Sequence, residues 1–377
     1  MDILNLIWTN GLSFIFILSV IVFVHEMGHY LIARYCGVYI DVFSIGFGPE
    51  IFGWNDSTGT RWKVSLLPLG GYVKMFGDAD AASTPGEDVP EMTREEKEKS
   101  FHHKRLAQRS AIVIGGPLAN FILAVFILAI MFATVGQRVT PALISIVQPD
   151  GAAASAGMIP GDLITAIDDT EIDRFEMVQR IVRASVGETL LFTVERDGAV
   201  IQMDVTPRNV EVTDGFGNLQ RFGQIGVGRR GVELVRHGPV YAIWAAVEET
   251  ASLTMATLDV LGQIVSGNRS ADELGGPIRI AQISGQVAED GLVTVFWFMA
   301  VLSINLGLIN LFPVPMLDGG HLLFYVYEAI RGKPLGEKAQ EYGFRVGLAM
   351  VLSLMIFATW NDIVQLHWVD YFIELFS

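Results

Sequence analysis

Phe23-Val24-His25-Glu26-Met27-Gly28-His29 closes an apolar run, Leu4 to Val24, that carries no charged residue and is long enough to cross a bilayer. On a helix, residues four apart share a face, so His25 and His29 can both offer an imidazole nitrogen to one Zn²⁺. Glu26, rotated by about 100°, can address a water at that metal, which makes it the candidate catalytic residue. The pattern places hydrolytic zinc chemistry inside a membrane or at its rim. A helix with two solvated histidines is the bland alternative, and the apolar run ahead of the motif weighs against it.

Composition agrees with an integral membrane protein. Of 377 residues 51% are hydrophobic and only 18% charged, with a mean hydropathy of +0.42, yet enough polar sequence remains for at least one water-exposed domain. A net charge of −15 argues against a nucleic-acid partner. The acidic excess lies in Asp78 to Glu98 and Asp150 to Asp214, where solvation explains it. The one cysteine, Cys36, excludes an internal disulfide and is expected to be a structural thiol.

Four segments read as spans: Leu4 to Val24, Ala111 to Val135, Leu292 to Leu311, and Val346 to about Trp360. The first is not expected to be a cleaved signal peptide, because it has no basic start and runs straight into the metal motif. Basic residues follow the first span (Arg34, Arg61, Lys63, Lys74), precede the second (Lys104, Arg105, Arg109) and separate the third from the fourth (Arg331, Lys333, Lys338, Arg345). The positive-inside rule makes those loops cytoplasmic and puts both termini and residues 137–290 on the other side. A fifth apolar stretch, Val240 to Val265, contains Glu248, Glu249 and Asp259; if it spanned, the third segment would end on the face opposite His25. It reads instead as one or two amphipathic helices lying on the membrane or on the spans.

Between Thr140 and Pro207 the pattern changes. Ala142–Ile146, Asp162–Ile167 and Thr189–Val194 alternate like short strands, glycines punctuate them, and Arg174 to Ala184 reads as a helix. This segment resembles a PDZ domain of the bacterial protease type, through Ser155-Ala156-Gly157-Met158-Ile159-Pro160-Gly161-Asp162-Leu163-Ile164 followed by Ile167-Asp168-Asp169. A peptide groove is expected at Ala156, Gly157, Met158 and Ile159, with backbone N–H groups open to a carboxylate.

A catalytic zinc usually has three protein ligands and one open position, so a third ligand should lie further along the chain. The third span ends in Asn310-Leu311-Phe312-Pro313-Val314-Pro315-Met316-Leu317-Asp318-Gly319-Gly320-His321. Two prolines break the helix, and an aspartate at such a break is costly in a membrane unless it is paired or bound to metal. Asp318 is thus the candidate; service as an ordinary helix N-cap is the alternative.

With these motifs in place, the chain closely resembles the site-2 protease family of intramembrane zinc metalloproteases, in particular the bacterial regulator-of-sigma-E protease group. The resemblance rests on Phe23–His29, Gly46–Pro49, Leu69–Met75, Gly115–Phe121 and Asn310–Gly320, in that order, and covers nearly the whole chain. It implies one Zn²⁺ per chain held by His25, His29 and Asp318, with Glu26 as general base, in a bacterial inner-membrane protein. It also implies a site facing the cytoplasm and a periplasmic PDZ region, here with one PDZ unit where the best-known relatives have two. The implied substrates are single-span membrane proteins, among them an anti-sigma factor already trimmed by another protease and remnant signal peptides.

A transmembrane substrate must unwind before it can be cut. Trp62 to Phe76 reads as a hairpin about a Gly70-Gly71 turn, dipping into the membrane and offering an edge at Gly70, Gly71 and Tyr72. Asn310, Pro313 and Pro315 resemble the family's substrate-handling segment. Gly115, Gly116 and Ala119 read as small residues permitting close helix contact. The expected fold is a polytopic α-helical membrane protein with four spans and a membrane-dipping β-hairpin, interrupted by a periplasmic, mostly β, α+β PDZ domain. Its parts are 1–136 (spans one and two, metal helix), 140–207 (PDZ), 208–290 (periplasmic linker and amphipathic helices) and 291–377 (spans three and four, third ligand). Two rival readings are a catalytically silent PDZ-containing membrane receptor with a structural zinc, and a soluble zinc peptidase tethered by one helix.

Overall fold

Four helices among the described residues are long and apolar enough to cross a membrane: Asn10–Tyr35, Leu106–Thr134, Leu292–Asn310 and Lys338–Val364. The computed structural model describes residues 3–78, 92–172, 174–213, 219–229, 233–267 and 275–365, so most of the acidic stretch from Asp78 to Glu98 lies outside the described residues. Two units are resolved, Met1–Met131 with Pro239–Ser377, and the inserted Phe132–Gly238.

The first unit begins with α1 (Ile3–Tyr35), whose 33 residues rise about 50 Å, more than a hydrocarbon core requires. The surplus carries His25 and His29 along one unbroken helix. Next come β1 (Ile40–Asn55) and β2 (Arg61–Met75), joined at the tip Asp56–Thr60. This corrects the hairpin expected from Trp62 to Phe76. The chain does reverse ahead of Gly71, but the two arms, Arg61–Val64 and Gly71–Lys74, do not pair with each other: residues Val42–Ile45 of β1, whose Gly46, Gly48, Pro49 and Gly53 disguise it as a loop, lie between them. Both strands are bent, so residues Val42–Ile45 pair with Arg61–Val64 on one side and with Gly71–Lys74 on the other. The arm Gly71–Met75 is left at the edge of the sheet. At the tip, burial raises Asp56, but donors from Trp62, Thr58 and Thr60 outweigh it and hold the carboxyl below its usual range. Ile51, Phe52, Leu66 and Leu67 are exposed on this sheet, as expected of a surface that meets lipid.

After α2 (Arg94–Lys99), α3 (Leu106–Thr134) crosses α1 at glycines. A Cβ on Gly115 would stand 2.7 Å from the Gly28 carbonyl oxygen, so only glycine permits this backbone contact.

The inserted unit contains β3 (Gln137–Val139), β4 (Ile146–Val147), α4 (Ala152–Ser155), β5 (Leu163–Ile167), β6 (Thr170–Glu171), α5 (Phe175–Ala184), β7 (Leu190–Arg196) and β8 (Ala199–Val205). It is completed by β9 (Arg208–Thr213), β10 (Leu219–Gln224), β11 (Val227–Gly228) and β12 (Glu233–Val235). Its main sheet has the order β6-β5-β7-β8, and Val178 and Val182 turn one face of α5 into its core with Ile164, Ile167, Phe192 and Val194. The strand expected over Ala142–Ile146 is reduced to a single bridge, Leu143 to Leu163, followed by β4. The unit begins and ends in the pair β3–β12, so it extends beyond 140–207 at both ends.

Inside it the Asp162 carboxylate, fully buried, is gripped by Arg196 at 2.6 and 2.7 Å and by the Ile159 N–H. Burial alone would raise its pKa; the guanidinium and the amide outweigh burial and hold it below the usual carboxylate range. A depressed folded pKa adds stability above the unfolded value of about 3.9, and this is lost as pH falls through the folded value. Asp162→Asn should cost about 1–3 kcal/mol and flatten the acid limb of amide-exchange protection in β5 and β7, measured in the full chain. An unchanged acid limb would refute this account of the pair.

The chain returns to the first unit with α6 (Pro239–Val265), α7 (Pro277–Glu289), α8 (Leu292–Asn310), α9 (Asp318–Arg331) and α10 (Glu337–Gln365). The stretch expected as one or two amphipathic helices is the single helix α6, which meets α8 through a Thr257–Asn305 hydrogen bond. The first turn of α7 is capped by the buried Asp362 of α10, which accepts from the N–H groups of Gly276 and Arg279. The segment 208–290, expected as linker and helices, is thus divided: β9–β12 belong to the inserted unit, and α6 and α7 to the unit of the spans.

Candidate metal centre

His25 and His29 sit one turn apart on α1, and Asp318 opens α9, 289 positions further along the chain. Between α8 and α9 the chain reverses at Pro313 and Pro315, and Met316 adopts a left-handed backbone, φ 92°, which a side-chain-bearing residue occupies only at a cost of about 1–3 kcal/mol. Gly319 and Gly320 press directly against the carbonyls of Leu311, Phe312 and Val314, so the turn folds back onto itself with no room for a side chain. Asp318 does not cap its helix: the N-cap is Leu317, without a side-chain cap bond.

The three ligand atoms converge. His25 Nε2 and His29 Nε2 are 3.2 Å apart, and Asp318 Oδ2 lies 3.2 Å from the first and 3.5 Å from the second. A tetrahedral site with bonds of about 2.0–2.1 Å has ligand–ligand edges of about 3.3 Å, so the triangle fits zinc. Asp318 Oδ2 is also buried without a hydrogen-bond partner, as expected of an atom reserved for a cation. The donor set of two imidazoles and one carboxylate is a common one for catalytic zinc.

Outer contacts fix the imidazoles. His29 Nδ1 meets the Ile112 carbonyl at 2.9 Å; a carbonyl only accepts, so Nδ1 carries the proton and Nε2 is left with its lone pair. His25 Nδ1 meets the side-chain amide of Asn120 at 3.1 Å. Asn120 stands in the Gly115–Phe121 motif with no role assigned to it from the sequence, although an amide in an apolar span is itself a signal, and it is fully buried. Gly116 has a different role from the one expected. A Cβ there would stand 2.7 Å from His25 Nε2 and closer still to His29 Nε2, so Gly116 borders the metal and is more than a helix-contact residue. Asn120→Ala should weaken zinc binding by about 10–100-fold, read by competition with a chelator.

A cavity of about 660 Å³ opens at this triad. Glu26 lines it, as do Gly70, Gly71, Tyr72 and Asn310, whose side-chain amide is 3.5 Å from His25 Nε2. Pro313 and Pro315 are not among the lining residues; Pro315 packs against Gly347 of α10.

The groove expected in the inserted unit is corrected. The N–H groups of Ala156, Gly157 and Met158 bond to Ala152, Ala154 and Ala153, that of Ile159 to Asp162, and Met158 is buried in the core. Local turns use the donors that a carboxylate would need. A cleft of about 140 Å³ lies instead between α5 and residues Phe222–Val227.

Comparison with known proteins agrees with the metal centre. Residues 13–354 match the model of peptidase family M50. A protein of Agrobacterium fabrum named as a zinc metalloprotease is 47% identical, covering 94% of this chain and 95% of the relative. One of Rhizobium meliloti, similarly named, is 46% identical over 93% and 95%. Metalloprotease MmpA of Caulobacter vibrioides is 38% identical over 93% and 94%. Among solved structures, the PDZ domain of an SdrC-like protein of Listeria monocytogenes matches 24% of this chain and 90% of that domain at 23% identity and a TM-score of 0.18.

Proposed function

Because this chain belongs to peptidase family M50 and is a multi-pass zinc metalloprotease, we propose that it hydrolyses a peptide bond within or near the transmembrane segment of single-span membrane proteins. The observation that carries this reading is Gly116: a residue inside the second apolar helix touches the ligand nitrogens, so the chemistry is built among the spans.

Held by His25, His29 and Asp318, a zinc ion would supply Lewis acidity for polarising a carbonyl and acidifying a water. Glu26, lining the same cavity and not among the three ligands, takes the water proton and passes it to the leaving amine. A helical substrate hides its carbonyls, so it must be held unwound. The edge arm Gly71–Lys74 offers backbone hydrogen bonds for an added strand, and Gly70, Gly71 and Tyr72 border the cavity where that strand would pass. Asn310 presents its amide to the unwound backbone beside His25. A silent receptor would have no use for Glu26 at this place.

The inserted unit is read as a PDZ domain in the periplasm of a bacterial inner-membrane protein, with the zinc site towards the cytoplasm. Its peptide groove is the cleft of α5 and Phe222–Val227. The resemblance to regulator-of-sigma-E proteases names a pre-trimmed anti-sigma factor as the substrate, with remnant signal peptides as a second class. The test is cleavage by purified protein of a panel of single-span substrates, with product mass locating the cut. Cuts confined to soluble regions would overturn the reading. For orientation, Ser270→Cys in a Cys36→Ser background should react with an impermeant thiol reagent from the periplasmic side. Labelling only after inner-membrane disruption would reverse the assignment.

A further inference from the structure

A second cavity, of about 310 Å³, adjoins the metal cavity, and His321 forms part of the wall of both. Its lining comes from three places: His102 and Arg109 ahead of and within α3, Tyr325 and Glu328 on α9, and Leu335 with Gln340 at the start of α10. It lies on the course of the edge arm. Gly71, Val73 and Met75 line the metal cavity, and at the end of the strand the Met75 N–H donates to Asp78 Oδ2, whose other oxygen is 3.0 Å from His102 Nε2. Phe101 borders the metal cavity and its neighbour His102 borders the second. The far end of the edge arm thus leads, through Asp78, to His102 in the wall of the second cavity, and His321 joins the two cavities.

We propose that this second cavity is a substrate subsite, taking the short extended segment that flanks the apolar stretch being cut and selecting neutral polar residues there. The inference rests on the strand-addition reading above. The selectivity follows from the ion pair in the lining, whose charges are already matched: Arg109 pairs with Glu328 and lies 5.0 Å from the Tyr325 ring. A charged substrate residue would find each of these groups already facing a partner and would lose hydration without recovering it. Backbone amides and neutral side chains can use Gln340, whose Nε2 donates to the Leu335 carbonyl and whose oxygen can accept. The aromatic wall of Phe324 and Phe344 suits a segment passing from apolar to polar sequence.

The test uses purified full-length Glu26→Gln protein lacking Cys36, which should hold substrate uncut. Single cysteines are placed at Leu335, in the cavity, and at Tyr72, on the edge arm. Each is oxidised with substrates bearing one cysteine at successive positions beyond the apolar segment. Leu335→Cys should cross-link within a window of a few positions, displaced along the substrate from the window of Tyr72→Cys. Cross-linking at Tyr72 alone overturns the subsite and leaves strand addition standing. Cross-linking at Leu335 alone supports the subsite and overturns strand addition, and failure at both overturns both. In the active protein, Leu335→Trp, which fills the cavity, should raise KM about tenfold for substrates that carry the flanking segment, with kcat nearly unchanged. A substrate ending short of that segment should be indifferent. Lysine or aspartate within the window should lower kcat/KM about tenfold in wild type and by much less in Leu335→Trp; equal losses in both proteins would overturn the selectivity.

Discussion

Gly116→Ala is expected to abolish zinc binding. The added methyl group would occupy the space beside His25 Nε2 and His29 Nε2, well inside van der Waals contact. Neither side can yield cheaply. The imidazoles are tied by Ile112 and Asn120, and α3 is pressed against α1 where Gly115 meets Gly28. Zinc–nitrogen bonds tolerate only about 0.2 Å, so a displacement of helix α3 large enough to admit a methyl breaks the triangle. Affinity should fall by more than about a hundredfold, beyond what losing one outer hydrogen bond costs. Gly262→Ala on α6, where a Cβ meets open space, is the matched control and should bind metal as wild type does. Metal analysis of both purified variants decides it: a full complement of zinc in Gly116→Ala would mean that the centre is not built as described.

The second large effect separates chemistry from ligation. Glu26→Gln should retain about one zinc per chain and lose cleavage by about 10²–10⁴-fold, because the amide cannot accept the proton of the attacking water. His25→Ala and Asp318→Asn should lose the metal itself, the former by deleting a donor and the latter by removing the charge that the cation needs. Full activity in Glu26→Gln would sink its assignment as the base. Zinc retained at wild-type affinity in Asp318→Asn would show that the third ligand lies elsewhere.

The candidate ligands and the long apolar helices were legible in the sequence because each depends on a local pattern: four-residue spacing for His25 and His29, a proline-broken apolar segment for Asp318, and uninterrupted apolar runs for the four helices. What escaped was set by neighbours distant in sequence. Strand β1 hid behind Gly46, Gly48, Pro49 and Gly53, residues that normally break strands but here lie where β1 folds back so that Phe52–Asn55 and Val42–Ile45 flank Arg61–Val64. The roles of Gly116 and Asn120 appear only when α3 lies against α1. The groove expected at Ala156–Ile159 failed because turn donors look open in a sequence and are spent within their own loop in the fold. The second cavity is assembled from segments more than 200 positions apart, a conjunction that no local pattern announces.

The distance along the chain between the histidines and Asp318 sets a clock. At a synthesis rate of about 5–20 residues per second, a ribosome needs roughly 15–60 s to travel from His29 to Asp318, and throughout that interval the nascent protein holds the two imidazoles without the third candidate ligand. A two-ligand site retains zinc poorly, so the half-made protein is born inert. The inserted unit is synthesised in full, and can fold, before the last ligand leaves the ribosome. The metal triad is therefore completed late, with α9, and a chain truncated ahead of Asp318 lacks its third member.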